Sequence, residues 1–432
     1  MLSAYHDQLI NIRRQLHQNP EEGWSEFTTT AFLVTTLRGY GYDVLLGRKV
    51  IDPEACLGRE ESVVKAGLER ARRNGVSEEL LAEMEELTGC VAVLDTGRPG
   101  PTLAIRFDID CVPVTECTDE THVPAKEGFI SKNPGFMHAC GHDFHTTCLL
   151  GDAHMSMGLA VAHWVMDNKD KLSGKIKILF QPAEEGVRGA AGMAASGVLD
   201  DCDYFLGSHV AMSAKSGEIA TNLYGYLCTT KLDVTFHGKP AHAGACPQDG
   251  RNALTAAANA TVQMMGISRH SGGMTRINVG QLIAGEGRNV IPSKAVMKLE
   301  VRGETGEINQ YMVDQVTNIC KGVALGFGVT YEMRKMGEAV DLTADQELVD
   351  ILNAAGRATP GITVVDKALN FGGSEDATIL ARRVQAHGGK AAFFLWGSDR
   401  PSGHHTATFD IKESDLDPAL EVWTHIIPSI LK

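Results

Sequence analysis

The chain has 432 residues, 43% of them hydrophobic, and 40 Lys+Arg against 54 Asp+Glu leave a formal net charge of −14. At roughly 150 residues per domain this length predicts two or three units with a sizeable core, which excludes a disordered chain, and the acidic balance excludes a nucleic-acid backbone as principal partner. No apolar run approaches the ~20 residues of a membrane span, and Met1–Gln8 lacks the basic-then-apolar pattern of a secretory signal, so a cytoplasmic protein without membrane contact is expected.

The first forty residues read as two helices, with Leu9, Ile12 and Leu16, then Phe27, Phe32, Leu33 and Leu37, at helical spacing and Pro20 and Gly23 between them. Residues 51–88 are dense in Glu and Arg and read as charged helices broken at Asn74-Gly75, either a solvated insertion or an interface element. Short apolar runs at Cys90–Leu94 and Leu103–Phe107 predict buried strands. A long helix is expected near 145–171, then a strand over Lys175–Gln181, and helix–strand pairs through 188–196 and 203–210. The last hundred residues return to this alternation, with strands near 363–366 and Ala391–Trp396 and helices near 344–357, 375–386 and 413–430. The pattern is an α/β layered domain whose sheet draws on both ends of the chain.

The middle differs. Strand (Thr229–His237), helix (Asn252–Ser268), strands (Arg276–Ile283 and Ala295–Arg302), helix (Glu307–Ala324) and strand (Val329–Met333) give the β-α-β-β-α-β order of a ferredoxin-like unit. The expected organisation is therefore a domain of 1–221 and 337–432 with an insertion at 222–336.

Sixteen His and ten Cys are present. The cysteines form no CxxC pair and read as mostly buried, reduced thiols. The histidines cluster with other ligand types. Met137–His145 (MHACGHDFH) holds a Cys and three His, and its Gly permits a bend that turns Cys140 and His142 to one point. Gln181–Gly186 (QPAEEG) follows a strand with two carboxylates that project differently, one able to ligate a metal and the other to face water. His209 ends the next strand, Gly403–Thr406 (GHHT) follows a late one, and Asp108 and Asp110 end another. Four of these stretches sit at the C-terminal ends of strands, where open α/β sheets place their sites. Mixed Cys/His/carboxylate ligation suits Zn²⁺, Mn²⁺ or Co²⁺ rather than Ca²⁺ or Mg²⁺, and this many ligands exceeds the need of one structural zinc.

With these stretches, RQLHQNPE (Arg14–Glu21), RFDIDCVP (Arg106–Pro113), Ala241-His-Ala-Gly, Asn289-Val-Ile-Pro and Gly373-Ser-Glu-Asp, the chain resembles the M20 metallopeptidases and amidohydrolases, in the branch of aminoacylase-like and auxin-conjugate hydrolases. The charged 51–88 segment and the Gly-His-His motif are similar to the subgroup that cleaves p-aminobenzoyl-glutamate. The resemblance implies an α/β/α metallopeptidase domain with an inserted ferredoxin-like lid and dimerisation domain. It implies two divalent metal ions per protomer, Mn²⁺ or Zn²⁺, held by Cys140, His142, Glu185, His209 and His405, with Cys140 as bridging thiolate. His405 is preferred over His404 by the Thr-x-x-Phe-Asp spacing that follows it. Glu184 is the implied general base, with Asp108 and Asp110 as supports that orient ligand imidazoles.

The implied reaction is hydrolysis of an N-acyl amino acid amide. His242 is expected to stabilise the oxyanion, or else to be a turn residue. Asn289 and Arg302 are candidates for substrate binding. Arg302 follows a buried strand and needs an anionic partner, either a substrate carboxylate or a surface ion pair. A homodimer, or a heterodimer with a related subunit, is expected. The alternatives are a broader deacylase or dipeptidase, a non-catalytic metal-binding subunit, or a Cys140 nucleophile.

Overall fold

A computed structural model describes residues 3–145 and 157–432. They divide into two compact units, Met1–Tyr224 with Leu342–Phe371 and Asp376–Lys432, and Gly225–Asp341 with Gly372–Glu375.

In the first unit, α1 (Ser3–Gln18) and α2 (Phe27–Tyr40) are followed by β1 (Asp43–Leu45), α3 (Glu61–Arg73) and α4 (Glu78–Met84). Asn74 ends α3, Gly75 follows at a φ of +83°, and Ser77 caps α4 by accepting the Leu80 N–H, so the break at Asn74-Gly75 lies between two helix ends. β2 (Cys90–Asp95), β3 (Thr102–Asp108), α5 (Val123–Lys126) and α6 (His142–His145) come next. Of the helix expected over 145–171, the described part is α7 (Met157–Asn168), and 146–156 lie outside the described residues. β4 (Lys175–Gln181), α8 (Ala190–Ala195), β5 (Tyr204–Val210), β6 (Glu218–Ala220) and β7 (Leu223–Tyr224) complete the first stretch.

The second unit contains β8 (Cys228–His237), α9 (Ala253–Met265), β9 (Thr275–Ala284), β10 (Lys294–Gly303), α10 (Gly306–Phe327) and β11 (Thr330–Ala339). Its sheet order is β11-β8-β10-β9, with every neighbour antiparallel. β8 and β10 alternate buried and half-exposed positions. Their buried face (Val234, Phe236, Met297, Val301) meets Ala256 and Ala260 of α9 and Met312 and Val316 of α10 in one core.

The chain then returns to the first unit as α11 (Gln346–Ala358), β12 (Thr363–Val364), β13 (Leu369–Asn370), α12 (Ala377–Ala386), β14 (Lys390–Trp396) and α13 (Leu416–Ile430). The main sheet has eight strands in the order β1-β2-β4-β3-β5-β14-β6-β12. At its centre β4, β3, β5 and β14 run parallel, Asp108 opposite Gln181 and Val210 opposite Trp396. These strands are buried on both faces, which is why their sequences are mostly apolar, β4 alternating at first with Lys175 and Lys177 before its apolar end. The fold is the expected mixed α/β architecture. No helix among the described residues is long and apolar enough to cross a membrane.

Candidate metal centre

The C-terminal ends of the four parallel strands deliver the functional side chains to one edge of the main sheet. β3 ends on Asp108, β4 leads into the Glu184-Glu185 turn, β5 carries His209, and the loop after β14 carries His404 and His405. Gly141 makes the approach of the Met137–His145 segment possible. Its φ is +89°, and a Cβ there would lie 2.4 Å from Val210 Cγ1, so only glycine fits. Ala183, Val187 and His405 also adopt positive φ, 52°, 59° and 59°. For non-glycine residues this is strain held by the surroundings, and it flanks the carboxylate pair and the last histidine.

Cys140, His142 and His209 bring their ligand atoms within 4.8 Å of one another, as do Cys140, Glu185 and His405, and His142, Glu184 and Glu185. Cys140 Sγ lies 3.5 Å from His209 Nε2, and His405 Nε2 lies 3.2 Å from Glu185 Oε1. His404 turns elsewhere, with Nδ1 2.9 Å from Arg400 and Nε2 3.4 Å from the Val210 carbonyl. The two adjacent histidines thus part company, and His405 is the one that meets the carboxylate.

The imidazoles are oriented from behind. His142 Nδ1 donates to the Asp110 carbonyl at 2.9 Å and His209 Nδ1 donates to the Val210 carbonyl at 2.8 Å, which leaves each Nε2 with its lone pair. His142 Nε2 is buried with no hydrogen-bond partner among the described residues. The Asp110 carboxylate accepts the backbone N–H groups of Glu184 and Glu185 and so fixes the turn that presents both acids. Asp108 holds an imidazole too, that of His145. It accepts Arg106 Nη1 at 2.7 Å and His145 Nδ1 at 2.6 Å, and its Oδ2 lies 3.8 Å from His142 Nε2. Arg106, fully buried, also donates to Gln181, which in turn donates to Asp376, and Asp376 accepts the Gly189 and Ala190 amides.

Two residues that the sequence pattern did not assign belong to this neighbourhood. His145 stacks on His142 with centroids 5.7 Å apart, its Nε2 buried and unpartnered among the described residues. Its place in the HACGHDFH run was the available signal. Glu26 accepts the Ala183 amide at 2.8 Å just ahead of Glu184, and burial together with the charge of Asp110 pushes its carboxyl up to about 8. No local pattern marks Glu26.

The electrostatics suit a cation. Burial, reinforced by Glu185, pushes the Cys140 thiol well above its ordinary range. Burial, with His145 and His404 nearby, holds His209 well below its own, as a neutral imidazole. Burial works against charge on His142 and Glu185 as well, yet Asp108 and Asp110 raise His142, and His405 and His142 lower Glu185. A buried thiol and two carboxylates converge on these imidazoles, and a divalent cation would offset the negative charge they carry when ionised. The donor set, one sulfur, three imidazoles and a carboxylate with an unpartnered buried nitrogen, fits such an ion.

Three expected residues lie in the second unit. His242 is exposed, its Nδ1 accepting the amides of Gly244 (3.2 Å) and Ala245 (3.0 Å). It bridges Val290, and the exposed Asn289 accepts the Ala243 amide through its carbonyl, so His242 and Asn289 share one corner of that unit. Of the two partners open to Arg302, the ion pair is the one present. It is half-buried and donates through Nε (3.0 Å) and Nη2 (3.2 Å) to both oxygens of Glu300, two residues earlier on the same face of β10. Its charge therefore has a partner within the chain, and burial does not call for a substrate carboxylate.

A model of peptidase family M20/M25/M40 matches residues 104–429. The chain belongs to this family. As an M20 peptidase it is a hydrolase acting on amide bonds. It is 51% identical over 426 residues to a homologue, from Haemophilus influenzae, of one of the subunits of p-aminobenzoyl-glutamate hydrolase, covering 98% of this chain and 99% of that one. Over 428 residues it is 42% identical to the indole-3-acetyl-aspartic acid hydrolase of Enterobacter agglomerans, covering 98% and 96%. The crystal structure of an aminobenzoyl-glutamate utilization protein from Klebsiella pneumoniae superposes with a TM-score of 0.82 at 36% identity, covering 99% of this M20 chain and 97% of its own.

Proposed function

We propose that this M20 chain is a metal-dependent amidohydrolase that cleaves p-aminobenzoyl-glutamate to p-aminobenzoate and glutamate. The observation that carries the chemistry is the convergence of Cys140, His142, Glu185, His209 and His405 beside a second carboxylate, Glu184. The substrate rests on the names of two relatives, both of which refer to aminobenzoyl-glutamate.

Cys140, His142, Glu185, His209 and His405 would hold two divalent ions, Mn²⁺ or Zn²⁺. When bound, such ions supply Lewis acidity, polarising the amide carbonyl and easing the ionisation of water. Glu184, whose Oε2 lies 3.7 Å from His142 Nε2, accepts the proton that water loses as its oxygen attacks the carbonyl carbon. Glu184 then returns that proton to the nitrogen as the C–N bond breaks, so water is divided between a carboxylic acid and an amine. Asp110 keeps Glu184 and Glu185 on their separate headings through both transfers. His242 serves as a donor to the developing oxyanion, because the two amides on Nδ1 place its ring proton on Nε2. Asn289 joins it in substrate binding. Arg302 would take the substrate carboxylate only by exchanging its Glu300 partner for it. Because the H. influenzae relative is named for one subunit of its hydrolase, we also propose that the chain assembles with a different chain or a second copy of itself.

The test is a substrate panel run before and after chelation. Turnover of p-aminobenzoyl-glutamate should exceed that of indole-3-acetyl-aspartate, N-acetyl amino acids and dipeptides, vanish on chelation and return with Mn²⁺ or Zn²⁺. Equal or greater turnover of the other substrates makes it a broader deacylase. Activity that survives chelation and dies on thiol alkylation assigns a Cys140 nucleophile instead.

A further inference from the structure

Away from the metal centre, the first unit has a cleft of about 290 Å³ between α3 and the corner joining α1 to α2. Arg70, Arg73 and Lys132 line it, with Glu21 as the acidic lining residue, and none of the metal-centre residues takes part. Three cations against one carboxylate leave the lining at +2, in a chain whose net charge is −14. That carboxylate is already engaged. Glu21 accepts the amides of Thr28 and Thr29 at the start of α2, and Arg70 Nε at 3.0 Å.

Among the described residues the other two cations have no acid of their own. Elsewhere in the charged insertion Arg72 pairs with Glu78, Arg59 with Glu86 and Lys65 with Glu61. Arg73 has no acidic partner among the described residues, and Lys132 Nζ donates to the neutral Gln18 amide at 2.8 Å. A guanidinium and an ammonium without counter-charge, on the wall of a cleft of small-molecule size, are the arrangement that recognises an oxyanion.

We propose that this cleft binds a small dianion, a dicarboxylate or a phosphate, held chiefly by Arg73 and Lys132 with Arg70 behind them. This requires nothing of the hydrolytic reaction. The charged insertion then has a use beyond solvation, since α3 brings two of the three cations to the site.

Isothermal titration of the full chain with inorganic phosphate, and separately with succinate, tests the proposal. At least one anion should bind with a Kd of a few millimolar or better, and which of them binds identifies the source chemistry. Affinity should fall at least about tenfold in the double variant Arg73→Glu/Lys132→Glu, and in the milder Arg73→Ala/Lys132→Ala, since each removes both unpaired charges. Both sites are exposed, so the thermal transition should not move. His405→Ala, which alters the metal centre, should leave anion affinity within about twofold. Absence of binding by both anions overturns the proposal. So does affinity unchanged in the two double variants, or affinity lost in His405→Ala.

Discussion

The Asp110 carboxylate accepts the Glu185 backbone N–H at 2.9 Å, although the two residues are 75 positions apart in sequence. One side chain at the end of β3 thereby fixes the turn after β4, and its second oxygen does the same for Glu184. Asp110→Asn replaces one acceptor oxygen with an amide that cannot accept. We expect metal affinity and turnover to fall by about 10- to 100-fold, as for other residues that orient ligands. Metal titration alongside kcat would check this, and an unchanged metal affinity would refute it.

Glu184 and Glu185 are neighbours with separable roles. Glu184→Gln should lower kcat by about 10²- to 10⁴-fold while bound metal stays constant. Glu185→Gln should lose metal as well. Metal analysis of both purified variants separates the cases, and substantial turnover by Glu184→Gln would sink the proton-transfer role.

Gly141→Ala forces a side chain onto Val210 at a left-handed φ. The variant should be less stable by more than about 1 kcal/mol. The larger effect should be functional, because Cys140 and His142 are displaced together. Thermal unfolding and metal content measured on the same preparation would show both losses, and a native metal complement would contradict the geometry.

His17 supplies a pH dependence. It is fully buried between Asp143 (2.8 Å) and Glu116 (2.7 Å). Burial disfavours its charge, but the two carboxylates prevail and push the imidazole up to about 9, while Glu116 is drawn down to about 2. A raised imidazole pKa stabilises the fold fully below the unfolded value of about 6.5, and this contribution is lost as pH rises through about 9. Its size is roughly 3 kcal/mol. His17→Gln should flatten the alkaline limb of stability across that window. Chemical denaturation of both proteins from about pH 6 to about pH 10 would decide, and parallel losses would refute the assignment.

Much of the fold was legible because each layer leaves its own period in the sequence. β3, β4 and β14 are buried on both faces and carry apolar stretches such as Leu103–Ile105, Ile178–Phe180 and Ala391–Trp396, whereas β8 and β10, packed on one face, alternate. The metal-centre residues were legible because ligand types cluster next to strand ends. The supports were not. Glu26 meets Ala183 across 157 positions, and Arg13 meets Asp143 across 130 and Asp410 across 397, pairings that no local pattern carries. Arg302 is a different case. The two-residue period of a strand sets Glu300 beside it, so its partner could have been read from the sequence.

The seat of α3 fixes what can be done with the segment at 51–88. Gly67 lies so close to Ser25 that a Cβ would come within 2.7 Å of it, and Arg70 is the counter-charge of the buried Glu21. The Glu21 carbonyl in turn accepts the amide of Cys111, the residue after Asp110. A chain shortened by this segment would uncover the flank of α2 and strand a buried carboxylate. It would also loosen the corner against which Asp110 is set. The segment is a keystone rather than an ornament, and grafting or deletion there should be felt first as failure to fold.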